Sequence, residues 1–152
     1  MTSAKPLSAS LEDYLEAIFH IVEDKQAVRA KDISRRMSVN SSSVTGALHA
    51  MAERGLVNYE PYEVITLTPE GEAAARDVIQ RHEGLRDFLI EILGVDAVQA
   101  DEAACRMEHA MSHEILERLD QFVEFVAECP DGGAERIKKF NDYCARRNKR
   151  KS

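Results

Sequence analysis

Cys105, Glu108 and His109 fall within the run Cys105-Arg106-Met107-Glu108-His109. Spacings of three and four bring side chains together on one side of a helix. A thiolate, a carboxylate and an imidazole converging within a turn make half of a transition-metal site. The alternative is a helix with a buried cysteine and a solvated Glu-His pair. Asp13 and Glu16 form a second acidic pair three residues apart, on the flank of another helix, where an ordinary solvated face is the competing explanation. His82 stands alone on a long helix, the usual setting of a surface or half-buried histidine. The cysteines Cys105, Cys129 and Cys144 are odd in number and widely spaced, so thiols or one metal ligand are expected rather than a disulfide framework.

A second chemistry is suggested by the distribution of charge. The 152 residues carry a formal net charge of -7, which on average argues against nucleic acid. Residues 25–54, however, hold six Lys/Arg (Lys25, Arg29, Lys31, Arg35, Arg36, Arg54) against Asp32 and Glu53, a local +4, and residues 136–152 hold eight against Asp142, a local +7. The remaining chain therefore carries -18. A locally basic face binds phosphate even on an acidic molecule. The basic end alone is weak ground, since charged termini are commonly solvated and without recognition value.

These residues need elements to position them. Residues 10–24 read as an amphipathic helix capped by Ser10, with Leu11, Tyr14, Leu15, Ile18, Ile21 and Val22 on one face. Residues 30–37 read as a short second helix with Ile33 and Met37 inward. Ser41 to Arg54 form a third, ending at Gly55, with Val44, Leu48 and Met51 inward and Ser42, Ser43, Thr45, Gly46 and His49 on the other side. Leu56–Tyr59 and Val64–Thr68 read as a hairpin. Pro69 opens a helix running to about Leu93, ended by Gly94-Val95. Further helices are expected at 99–111 and 113–128, the latter with Ile115, Leu116, Leu119, Phe122, Val123 and Val126 inward, and a last basic helix at 134–147 after the break at Pro130-Asp131-Gly132-Gly133.

Three helices and then a hairpin is the order of a winged helix-turn-helix. Its third helix can enter a major groove while flanking cations meet phosphates. The fold class is accordingly mainly α, a winged helix-turn-helix domain followed by a helical dimerisation domain. The expected divisions are a DNA-binding domain at residues 1–72, a helical metal-binding and dimerisation domain at 73–135, and a basic C-terminal helix or tail at 136–152. Asn40, Ser42, Ser43 and Thr45 are the candidate base-edge or phosphate contacts, and Lys31, Arg35 and Arg36 the candidate phosphate contacts. No apolar stretch is long enough to span a membrane and the N-terminus lacks a signal peptide's apolar block, so a cytoplasmic, non-membrane protein is expected.

The segments EDYLEAI (12–18), SSSVTGAL, TPEG and above all DEAACRMEHAMS (101–112) resemble the diphtheria toxin repressor family of metal-dependent transcriptional repressors, including its manganese transport regulator branch. The resemblance covers roughly residues 8–128. It implies a divalent metal bound between a winged-helix domain and a dimerisation domain, and a homodimer acting on palindromic double-stranded operator DNA to control metal homeostasis genes. Cys105, Glu108 and His109 match regulatory ligands of the iron-responsive branch, whereas Asp13, Glu16 and His82 match ligands of the manganese branch. His82 also matches an ancillary-site histidine of the iron branch, but the glutamate and histidine expected beside it are here Arg86 and Asp101, which puts that second site in doubt. The chain resembles the short, two-domain members that lack an SH3-like domain.

The resemblance implies a mechanism in which Asp13 and Glu16, on the DNA-binding half, are joined through metal to Cys105, Glu108 and His109 on the other half, fixing the spacing of two reading heads. A thiolate ligand favours ferrous iron over manganese, with cobalt, nickel or zinc as further ions able to bind in vitro. The rival readings are a manganese-responsive repressor, a small metalloenzyme, and a metal-independent winged-helix regulator sensing an organic ligand. The enzyme reading is disfavoured because no HExxH-type motif and no general base outside the ligand set are found.

Overall fold

The computed structural model describes residues 6–151. It comprises two compact units that divide between Ile79 and Gln80.

The first unit contains α1 (Ala9–Lys25), α2 (Ala30–Met37), α3 (Ser41–Glu53), β1 (Val57–Asn58), β2 (Thr66–Leu67) and the start of α4 (Pro69–Asp87). The cap of α1 is Ser8 rather than the expected Ser10: its hydroxyl accepts from the Leu11 amide at 3.3 Å, which moves the cap two residues earlier. Asn40 caps α3, accepting from the Ser43 amide at 2.8 Å, and Gly55, at φ +69, takes the left-handed position just past its end. The hairpin is shorter than expected, with β1 and β2 antiparallel and Val57 opposite Leu67. Sequence reading missed its third element: Val28 forms an isolated bridge to Ile65, whose amide donates to the Val28 carbonyl at 2.8 Å. One residue is too short a run to show periodicity.

The core of this unit is formed by Leu15, Ile18, Ile33, Val44, Leu48 and Met51, with Val28 and Ile65 from the bridge, all essentially inaccessible. Burial on that scale stabilises by about 1.5–3 kcal/mol per large apolar side chain before entropy is counted. Thr68 fastens the hairpin to α4. Its hydroxyl donates to the Gly55 carbonyl at 2.6 Å and accepts from the Gly71 amide at 3.0 Å. A Cβ on Gly71 would stand 1.8 Å from the Leu56 carbonyl oxygen, so only glycine permits this approach.

The second unit contains the remainder of α4, a π-helical turn at Phe88–Ile92, α5 (Ala97–Met107), a 3₁₀ turn at Glu108–Ala110, α6 (His113–Glu128) and α7 (Gly133–Lys149). Gly94, at φ +65, ends the π turn. The helix expected at 99–111 stops at Met107, so Glu108 and His109 lie on the 3₁₀ turn rather than continuing the α-helical face of Cys105. The core is small: Leu85, Ala104 and Leu116, with Met111 and Leu119 packed against it. Of the α6 residues expected inward, Leu116 is buried, while Ile115 is 52% and Phe122 44% exposed. Leu119, Val123 and Val126 are half-buried, so that face is covered in part, with Ile115 and Phe122 left most accessible.

Candidate metal centre and nucleic-acid interface

His82 is half-buried on α4 and lies between two carboxylates. Its Nδ1 is 2.7 Å from Glu108 Oε2, and its Nε2 is 3.0 Å from Asp101 Oδ1. A neutral imidazole has one N–H, so two hydrogen bonds to carboxylates require an additional proton on the group. A cation at this place would substitute for that proton. Arg86 Nε lies 3.5 Å from the same Asp101 oxygen. Arg86 and Asp101, which depart from the resembled ancillary site, therefore contact each other, and Asp101 holds the outer nitrogen of His82.

Glu108 is fully buried. Its backbone carbonyl accepts from Arg81 Nη1 at 2.8 Å, which pins the 3₁₀ turn to α4. Its Oε2 is engaged by His82, but its Oε1 has no hydrogen-bond partner among the described residues. His109 Nε2 is 3.4 Å from that oxygen, close enough for electrostatic attraction but not a hydrogen bond. A buried carboxylate oxygen without a partner costs about 1–3 kcal/mol or more, and a cation held jointly with His109 would remove that cost. The donors present fit a divalent metal on this ground.

The other expected ligands are placed as follows. Cys105 is solvent-exposed on the last turn of α5. Asp13 and Glu16 are half-buried on α1 of the first unit, with Glu16 Oε1 3.6 Å from His20 Nε2. The second unit thus brings His82, Glu108 and His109 together. Sequence reading missed the direct contact between Asp101 and His82; the signal was an acidic residue at the position where the resembled family has another side chain.

The candidate DNA residues occupy α2 and α3. Lys31, Arg35 and Arg36 are exposed on α2, Arg36 lying 3.7 Å from Asp24. At the start of α3, Asn40, Ser42 and Ser43 are exposed and Thr45 is half-buried. Asn40 Oδ1 accepts from the Ser42 hydroxyl and the Ser43 amide, both at 2.8 Å. The Thr45 hydroxyl donates to the Ser41 carbonyl at 2.9 Å. The hydroxyl protons of Ser42 and Thr45 are therefore committed within the helix, which leaves these two side chains as acceptors. At the start of α2, the Asp32 carboxylate accepts from the Arg29 amide at 3.1 Å and from Lys25 at 3.3 Å. Burial pushes the Asp32 carboxyl up, but the Arg29 amide and the Lys25 and Lys31 cations outweigh it, and the group is held below the usual carboxylate range.

Residues 6–65 match the iron-dependent repressor N-terminal DNA-binding domain, and residues 68–142 match the iron-dependent repressor metal-binding and dimerisation domain. The chain is 41% identical over 119 residues to an uncharacterised HTH-type transcriptional regulator of Methanocaldococcus jannaschii, covering 78% of this chain and 95% of that protein. It is 35% identical over 122 residues to the HTH-type transcriptional regulator MntR of Lysinibacillus sphaericus, covering 80% and 87%. Among solved structures it is similar to a manganese-dependent transcriptional repressor in complex with manganese, at TM-score 0.69 and 31% identity, covering 76% of this chain and 53% of that one. The chain spans about half the length of the solved repressors of this kind, such as the manganese regulator SloR. No helix among the described residues is long and apolar enough to cross a membrane. Members of the matched family are transcriptional repressors rather than enzymes, which removes the metalloenzyme alternative. With a winged helix-turn-helix fold in the first unit and both domain signatures in sequence, this chain belongs to the iron-dependent repressor family of metal-dependent transcriptional repressors.

Proposed function

We propose that this protein is a divalent-metal-dependent repressor that binds palindromic operator DNA as a homodimer in the cytoplasm and controls metal homeostasis genes. The observation that carries the reading is the buried Glu108 carboxylate, with one oxygen on His82 and the other without a partner 3.4 Å from His109. Glu108, His109 and His82 hold the ion, and by the resemblance Cys105, Asp13 and Glu16 complete the ligand set. The cation supplies positive charge that carboxylates from both units can share. Each carboxylate that becomes a ligand loses its repulsion from the others, and a state in which all of them converge becomes populated. DNA is met by Asn40, Ser42, Ser43 and Thr45 on α3 and by Lys31, Arg35 and Arg36 on α2. The exposed Val98, Ile115, Phe122 and Phe125 suit the dimerisation role of the matched domain.

Cys105 supports ferrous iron, because a thiolate selects softer or later ions than carboxylates do. A second reading, manganese, is favoured by the names of the relatives and by the all-oxygen-and-imidazole character of the buried donors. The test is a mobility-shift assay on duplexes enriched from a random pool, with chelator and then with each metal restored. Shifts that persist in chelator overturn metal dependence. Cys105→Glu should raise activation by manganese relative to ferrous iron, and an unchanged ratio removes the iron reading.

A further inference from the structure

His49 lies on the α3 face that carries Ser42 and Thr45, seven residues beyond Ser42. That is two helical turns and about 10 Å along the axis, or roughly three base-pair steps. Between them Gly46 presents no side chain, and nothing lies within 4 Å of where its Cβ would be. Backbone can therefore approach closely along this face. His49 is exposed, yet its ring is not loose: it meets Tyr59 edge to face, with centroids 5.3 Å apart and planes at 79°. Neither ring nitrogen hydrogen-bonds to any described residue. Arg29 and Lys31 border the same groove, between α3 and the hairpin. Because Ser42 and Thr45 have spent their protons inside the helix, His49 is the side chain of this face that retains a donor and the length to reach a base.

We propose that His49 is a specificity-determining residue which donates its imidazole N–H to the N7/O6 edge of a guanine in the major groove, with Tyr59 fixing the ring beforehand. The inference rests on the DNA-binding reading above. A ring already immobilised loses little entropy on contact, so a single hydrogen bond can discriminate between bases. One donor to one acceptor edge is at the low end of base-reading contacts, about five- to tenfold in affinity.

The experiment is selection from a randomised duplex pool by the full-length protein, in manganese and in ferrous iron, followed by affinity and salt titration on the enriched site. The wild type should enrich a guanine at one position of each half-site. His49→Ala should lose that preference and bind the enriched site about five- to tenfold more weakly, with unchanged affinity for unrelated duplex and unchanged salt slope. His49→Gln should move the preference towards adenine, whose N6/N7 edge suits a carboxamide. An unaltered selected sequence in His49→Ala overturns the proposal, as does uniform weakening with a shallower salt slope, which identifies a phosphate contact instead. A wild type that enriches no site with either metal overturns the repressor reading itself.

Discussion

Replacing Glu108 by glutamine separates the apo state from the metal-bound state. The fully buried carboxylate has one oxygen on His82 Nδ1 at 2.7 Å and one without a hydrogen-bond partner among the described residues. Glutamine has nearly the same shape. Its carbonyl accepts from His82, and its amide takes the place of the unpartnered oxygen, facing His109 Nε2. Removing the buried charge relieves about 1–3 kcal/mol, and giving up the charge-assisted bond to His82 costs about 1 kcal/mol. The net expectation is about 1 kcal/mol of added apo stability, which in a chain of this size raises Tm by about 2–4 °C. The wild type at a hundredfold excess of metal over its Kd gains about 2.7 kcal/mol, whereas Glu108→Gln should gain almost nothing. Calorimetry in chelator and then in manganese or ferrous iron, at one fixed protein concentration, reads both terms. A variant less stable than wild type in chelator that keeps the full metal shift would refute the reasoning, because Glu108 would then be a structural acid and the cation would lie elsewhere.

Asp101→Asn weakens the acceptor that holds His82 Nε2, and metal affinity by titration calorimetry should fall about tenfold; equal affinity would show that His82 needs no orienting partner. Asp32→Asn should destabilise the first unit by about 1 kcal/mol at pH 7, as loss of a capping contact does. Because the folded state holds the Asp32 carboxyl below its ordinary value of 3.8, its contribution is complete above that pH and is lost as pH falls through the lower folded-state value. Denaturation curves of the two proteins should therefore converge in acid, and a constant gap would contradict the assignment. Gly71→Ala places a Cβ 1.8 Å from the Leu56 carbonyl oxygen. It should cost about 3 kcal/mol in urea denaturation, and a change under 0.5 kcal/mol would mean that the hairpin yields.

Much of this molecule is legible in sequence, and the exceptions share a cause. The first three helices, the hairpin and the Pro69 start rest on local signals, namely periodicity, caps and turn residues, which act over a few positions. The run around Cys105 was legible as a candidate for metal-binding chemistry because it sets a thiol, a carboxylate and an imidazole at three- and four-residue spacings. Its geometry was not: the change from α-helix to a 3₁₀ turn at Glu108 depends on Arg81, 27 residues away, reaching the Glu108 carbonyl. The Val28 bridge is likewise decided by a partner, Ile65, that no period reveals. Periodicity grouped the apolar residues of α6 on one face but could not say that Leu116 is buried while Ile115 and Phe122 stay exposed.

The modest core of the second unit has a thermodynamic consequence. Leu85, Ala104 and Leu116 are few side chains on which to stabilise some seventy residues, while Phe125 and Val98 are 64% and 67% exposed. Much of the apolar burial available to this unit can be realised only in a pair. Its melting temperature should then rise with protein concentration, as mass action requires of linked folding and association. A newly made chain at high dilution would spend time half-consolidated, and the abundance of the protein would itself help set the fraction able to act.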